Sequence, residues 1–237
     1  MKKQIIKYRD IILLTIGTVL VILSLCLLFF DRIELIKSNV FAEVNMEKYR
    51  EKNNGETIEE EDDDDKDEEV DDEEINEIVD EETELPKAPT ESLKTKISKE
   101  FIGYLEIKKI NLKQGLVSKN SRYNNVKYNV QMLSASDYPD KENGNVILAA
   151  HSGTGYLAFF KNLYKLKKGD EAKITYKGDV YTYKIVNIYN VPKTGKVRIG
   201  RNNQKTCLTL ITCTHNSKTE QTVYILELTS KTKDGGK

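Results

Sequence analysis

LTLITCTHNSKTEQTVYILEL, residues Leu208 to Leu228, sets two apolar runs on either side of a polar turn. The runs are rich in Leu, Ile, Val, Thr and Tyr, which favour a pleated, half-buried surface, so the stretch reads as two strands, 207–213 and 221–228. The first strand runs straight into a thiol, Cys213, followed by Thr214, His215 and Asn216. Three cysteines occur in the chain: Cys26, Cys207 and Cys213. Six residues of extended chain between Cys207 and Cys213 span about 20 Å. A disulfide needs Cα atoms within about 7 Å, so these two are not expected to pair. No C-x-x-C occurs and the only histidines are His151 and His215, so the spacing offers no metal site and no cofactor is expected. Cys207 reads as a small core residue. Cys213, where the apolar run stops, reads as a thiol at a strand tip.

Working outward, further runs read as strands: 101–107 (FIGYLEI), 128–135 (YNVQMLSA), 145–151 (NVILAAH), 171–177 (EAKITYK) and 180–191 (VYTYKIVNIYNV). Lys177-Gly178-Asp179 reads as a tight turn between two of them. In GYLAFFKNLYKL, Leu157, Phe160, Leu163 and Tyr164 recur at helical spacing and predict a short helix. Short strands at regular intervals in one domain predict a mostly β fold: a closed barrel of about eight strands with one or two short helices.

The domain is expected over 92–230, with a flexible tail at 231–237. Before it lies ETIEEEDDDDKDEEVDDEEINEIVDEETE, residues 56–84, in which 20 residues are acidic and almost nothing is apolar. Such a run cannot bury a core, so 31–91 is expected to be an acidic disordered linker. It lacks the glycine-containing spacing of an EF-hand loop. The whole chain has 37 Lys+Arg against 38 Asp+Glu, but residues 91–237 hold 26 against 12, so an acidic segment precedes a basic head. No nucleic-acid recognition motif accompanies that charge, and nucleic acid is not expected as a partner.

At the N-terminus, residues 11–30 are apolar apart from Thr15, Thr18 and Ser24, with Gly17 and Cys26 as small interruptions. A helix of 20 residues crosses a hydrocarbon core of about 30 Å. Lys2, Lys3, Lys7 and Arg9 precede it, so residues 1–10 are expected in the cytoplasm and the rest of the chain outside a cell membrane crossed once.

A free thiol outside the cell calls for a chemical reason. A nucleophilic cysteine needs an acid–base partner and a donor for the developing oxyanion. His151 also ends an apolar strand and is followed by the glycine-containing SGTGY, so it is expected at the same rim as Cys213. His215 lies two residues from Cys213 in the turn and is the competing candidate.

On these residues the chain resembles the sortase family. LTLITC is similar to that family's T-L-x-T-C strand, GNVILAAHSG to its histidine strand and IGYLEIKKINL to its opening strand and turn, in the same order. The resemblance covers about 97–228. It implies a β-barrel cysteine transpeptidase of Gram-positive surfaces that cleaves a sorting signal like Leu-Pro-x-Thr-Gly. Cys213 would hold the acyl group as a thioester, and His151 would protonate the leaving amine and deprotonate the incoming one. The implied partners are surface proteins bearing the signal, and an amine of peptidoglycan precursor or pilin.

One family position departs. Where an arginine precedes the apolar run of the last strand, this chain has Gln221. Three readings follow: Gln221 donates through its amide; Arg198 or Arg201, in the loop before the cysteine strand, reaches the site; or the domain is a weak or inactive relative that only binds. Thr212 is expected to line the substrate groove. Another wall cysteine acyl-transferase is the alternative enzyme, although the glycine of an S-x-G-C pattern is absent from LITCT. A non-catalytic adhesin is the alternative outside enzymes.

Overall fold

The hairpin at Leu208–Leu228 forms the middle of an eight-stranded sheet in the computed structural model, which describes residues 13–25, 40–50, 90–155 and 157–235. The strands are β1 (Phe101–Ile107), β2 (Leu112–Val117), β3 (Gln131–Met132), β4 (Asn145–Ala149), β5 (Glu171–Tyr176), β6 (Asp179–Pro192), β7 (Cys207–Cys213) and β8 (Glu220–Lys233). Their spatial order is β2-β1-β5-β6-β8-β7-β4-β3. β4 runs parallel to β7, and every other pairing is antiparallel. Three helices are described: α1 (13–25), α2 (40–50) and α3 (Glu91–Lys99), with 3-10 turns at Lys108–Ile110 and Leu163–Lys165.

The sheet curls around one core. Alternate residues supply it: Val146, Leu148 and Ala150; Leu208 and Leu210; Tyr224 and Leu226; Tyr181, Tyr183 and Ile185. Burying each large aliphatic side chain contributes about 1.5–3 kcal/mol. β5 and β6 join through a two-residue turn with positive φ at Lys177 (48°) and Gly178 (74°), the geometry that matches strand twist.

The barrel is nearly closed rather than closed, because β2 and β3 do not pair. Asparagines occupy the seam. Buried Asn129 donates to Gly115 O at 2.9 Å and accepts from Gln114 Nε2 at 2.6 Å. Asn124 pairs with both backbone groups of Met132, standing in for a strand. With side chains meeting these backbone groups, β3 shrinks to two residues of the expected 128–135.

Several expected elements differ. The helix of GYLAFFKNLYKL is only the 3-10 turn, with Phe160 and Leu163 in the core and Tyr164 half-exposed. α3 was not expected; Thr90 caps it by accepting from Leu93 N. Within the span read as linker, residues 40–50 are helical, and 56–84 lies outside the described residues. β8 continues to Lys233 through the expected tail.

The chain divides into two compact units, Met1–Val44 and Asn45–Lys237. In the first, α1 exposes Leu13, Leu14, Ile16, Val19, Leu20, Val21, Ile22, Leu23 and Leu25. Among the described residues no helix is long and apolar enough to cross a membrane, and the remainder of 11–30 lies outside them. In the second, Tyr49 and Arg50 pack on the barrel. Tyr49 Oη donates to Ile102 O (2.7 Å) and accepts from Lys177 N (3.1 Å). Arg50 forms a two-bond ion pair with Asp234 at 2.6 and 2.8 Å.

Candidate active site

Strand alternation fixes which side each candidate faces. Since Val146, Leu148 and Ala150 point into the core, Ile147, Ala149 and then His151 point outward. Since Leu208 and Leu210 point inward, Thr209, Ile211 and Cys213 point outward, and the same parity on β8 turns Gln221, Val223 and Ile225 outward. The parallel ladder pairs Ala149 with Ile211 and is prolonged by Ala150 N–H to Ile211 O. His151 and Cys213 each follow by two residues, so they lie at the same end of neighbouring strands, at one rim. Cys213 in turn pairs with Gln221, and Gln221 with Val191. One outer row thus reads His151, Cys213, Gln221, Val191. The directly opposed antiparallel pairs Cys213–Gln221 and Gln221–Val191 have Cβ atoms about 5 Å apart.

The parallel β4–β7 pairing brings the two ends together, because parallel strands finish on the same side. His151 is exposed and Cys213 half-buried, as a free thiol. The backbone behind His151 is anchored: its carbonyl accepts from Phe160 N at 3.0 Å, and Phe160 is fully buried. Thr214 N–H, next to the thiol, is committed to Glu220 O at 3.0 Å. Behind the row, Thr214 Oγ1 and Thr222 Oγ1 share a hydrogen bond, and Thr222 Oγ1 donates to Asn190 Oδ1. Gln221 Oε1 is buried and has no hydrogen-bond partner.

The other expected site residues are placed differently. Thr212 is 5% exposed and turned inward, and its hydroxyl donates to Ala150 O at 2.8 Å. It joins the histidine strand to the cysteine strand instead of lining a groove. Arg201 donates to Asn143 O and Lys205 O, both at 3.1 Å, beside the starts of β4 and β7. Those strand starts are about 20 Å of strand from Cys213. Arg198 is exposed; its carbonyl accepts from Tyr189 Oη at 2.9 Å, and Tyr189 Oη in turn accepts from Gly200 N at 2.8 Å. Tyr189 shares the outer face with Gln221, so Arg198 is the loop arginine nearer the row. His215 stacks on Tyr164, ring centroids 4.1 Å apart at 10°. That contact, and the roles of Tyr164 and Tyr189, had no signal in the sequence beyond aromatic spacing. Cys207 is fully buried, and burial pushes its thiol pKa up.

A search of the curated proteins finds no match to this chain. Among solved structures, sortase C2 of Group B Streptococcus pilus island 1 is 25% identical, with a TM-score of 0.50, covering 55% of this chain and 75% of that one. The sortase D5 transpeptidase of Clostridium perfringens is 26% identical, with a TM-score of 0.47, covering 60% of this chain and 90% of that one. The family described as the sortase domain matches residues 105–228, a span that runs from within β1 to within β8 and includes His151, Cys213 and Gln221. The chain belongs to the sortase family.

Proposed function

We propose that this sortase is an active cysteine transpeptidase working through Cys213, His151 and Gln221. Cys213 passes its thiol proton to His151 and, as the thiolate, attacks the threonine carbonyl of an LPxTG-like signal to form a C–S bond. The tetrahedral oxyanion collapses, the Thr–Gly C–N bond breaks, and His151 delivers a proton to the departing glycine amine. An incoming amine of a peptidoglycan precursor or a pilin then gives its proton to His151 and attacks the thioester. The thioester C–S bond breaks, the surface protein leaves on the new amide, and the thiolate takes the proton back from His151 to regenerate the thiol.

The observation that carries this reading is the common outer row of His151, Cys213 and Gln221. His151 is favoured over His215 as acid–base group because the His215 ring lies against Tyr164. Gln221 is favoured for the oxyanion on two grounds. The backbone N–H beside the thiol is already committed to Glu220 O. The side-chain amide is not spent on another group, since its Oε1 is buried with no hydrogen-bond partner among the described residues. A neutral amide lacks guanidinium's charge and fork, so its contribution is smaller than an arginine's. Arg198 is the second reading for this role, supported by the Tyr189 bonds that hold its backbone on this face.

Membrane attachment through the N-terminal apolar run, with the barrel outside the cell, belongs to the same proposal. The exposed apolar side chains of α1 and the four preceding basic residues support it. The test is incubation of the full chain in detergent with LPxTG-type peptides and an amine acceptor, read by mass spectrometry. A thioester adduct on wild type, amide product, and neither from Cys213→Ala are expected. Product formed by Cys213→Ala would overturn the mechanism.

A further inference from the structure

The turn that follows Cys213 does not stand free. β7 and β8 are joined by Thr214 to Thr219, a polar hairpin turn in which Asn216 takes a left-handed φ of 62°. His215 projects from this turn and stacks face to face on Tyr164. Tyr164 follows Leu163, which is fully buried, on the segment that leaves His151. That segment is pinned twice more, by fully buried Phe160 and by the Phe160 N–H bond to His151 O. One side of the stack therefore belongs to the anchored chain behind the imidazole, and the other to the turn beyond the thiol. Tyr164 is 49% exposed, so its ring contacts are the His215 stack and the neighbouring Lys165 ammonium, 5.6 Å from the ring centroid.

From this we infer that Tyr164 and His215 form a clip that holds the thiol-bearing turn against the histidine segment, making both positioning residues for acyl transfer. The inference rests on the transpeptidase reading of Cys213 and His151. A face-to-face aromatic contact contributes modestly, and it acts here on alignment, to which transfer chemistry is steeply sensitive. Loss of the ring widens the range of thiol positions without removing a group that touches the peptide. The turnover number falls while the Michaelis constant holds, since an interaction that shapes only the reacting geometry appears in kcat.

Two measurements on the full chain in detergent micelles test this. The chain has two histidines, so its spectrum contains two imidazole Cε1–H signals, assigned by His215→Ala. In wild type the His215 proton is shifted upfield by the Tyr164 ring; Tyr164→Ala removes the shift and Tyr164→Phe keeps it. An unshifted wild-type signal overturns the clip whatever the enzyme does. In the peptide-plus-amine assay, Tyr164→Ala and His215→Ala each lower kcat roughly two- to tenfold with KM little changed, in line with the worth of one ring pair. Tyr164→Phe and His215→Phe restore it. An unaltered kcat in Tyr164→Ala overturns the role, as does failure of His215→Phe to restore turnover, which would make the imidazole itself the working group. Turnover by Cys213→Ala also overturns it, because no thiol would then need positioning, and it is distinguished by a proton shift that persists.

Discussion

Cys207 and Cys213 share a strand and a face, six residues apart, in opposite surroundings. Cys207 is fully buried, with its pKa raised by burial, and its Sγ lies 3.4 Å from Lys205 O. Cys213 reaches the rim. Because thiolate character and access govern reaction, iodoacetamide is expected to modify Cys213 at least about tenfold faster than Cys207 in the native chain. Peptide mapping over time measures both, and unfolding in guanidinium should erase the difference. At Gln221 the expected order of turnover is wild type, then Gln221→Ala, then Gln221→Glu. Alanine removes one oxyanion donor, an effect of about 10²-fold where such a donor is fully engaged. Glutamate adds a negative charge where negative charge develops. Equal rates for Gln221→Ala and wild type would transfer the role to Arg198. At this scale the placement of Cys213 and His151 at the ends of adjacent strands was legible, because each follows an apolar run. The directions of Thr212 and Arg201 were not. One depends on which parity of β7 faces inward, the other on carbonyls at Asn143 and Lys205 that only the folded loops bring together.

β1 lies between β2 and β5, and Gly103 makes the second contact close. A Cβ there would stand 2.6 Å from Thr175 O, a backbone atom that cannot move without disturbing β5. Gly103→Ala is therefore expected to destabilise the barrel by about 1–3 kcal/mol, read from the urea midpoint. The strands with strong β-formers and full pairing were readable: β1 and β7 match their expected bounds, and β4, β5 and β6 nearly so. β2 (LKQGLV) was missed because Lys, Gln and Gly break its apolar pattern, and β3 was overextended because asparagine side chains, invisible to a periodicity argument, replace its ladder. The expected helix at 155–166 failed for a related reason. Phe160, Leu163 and Leu166 follow a three-residue spacing that an irregular chain with one 3-10 turn satisfies as well as an α-helix.

Across the whole barrel, charge and burial set limits in pH. Ion pairs lower the pKa of Asp137 with Lys141, Asp170 with Lys109, and Asp179 with Lys233 and Lys231. Their folded values lie below the unfolded value of about 3.9, so their stabilisation is complete above that pH and is lost as pH falls through the folded values. Burial raises the phenols of Tyr104 and Tyr183, and that of Tyr224 up to about 12. Above pH about 10 the unfolded chain releases these protons and the folded chain does not, so stability falls as pH rises. Melting temperature should be level between about pH 5 and 8 and drop on both sides, the buried Cys207 thiol adding to the alkaline loss before the phenols do. Tyr183 Oη is buried with no partner, so Tyr183→Phe should be at least as stable as wild type at neutral pH and lose less above pH 10. The pairing of Arg50 with Asp234 reaches further. Tyr49 and Arg50 are fastened beside Ile102, Lys177 and Asp234, and α3 delivers the chain to β1 at Phe101. The acidic run thus departs from and rejoins one body, about 40 Å of β8 away from Gln221. Cutting with enteropeptidase after Asp62-Asp63-Asp64-Asp65-Lys66 should leave residues 67–237 captured by a tag at residue 1, and Arg50→Ala with Asp234→Ala should free them. Both ends of the acidic run are then tied to the same body, so lengthening or shortening that run should leave the retention of the cut fragment unchanged as long as Arg50 and Asp234 are intact.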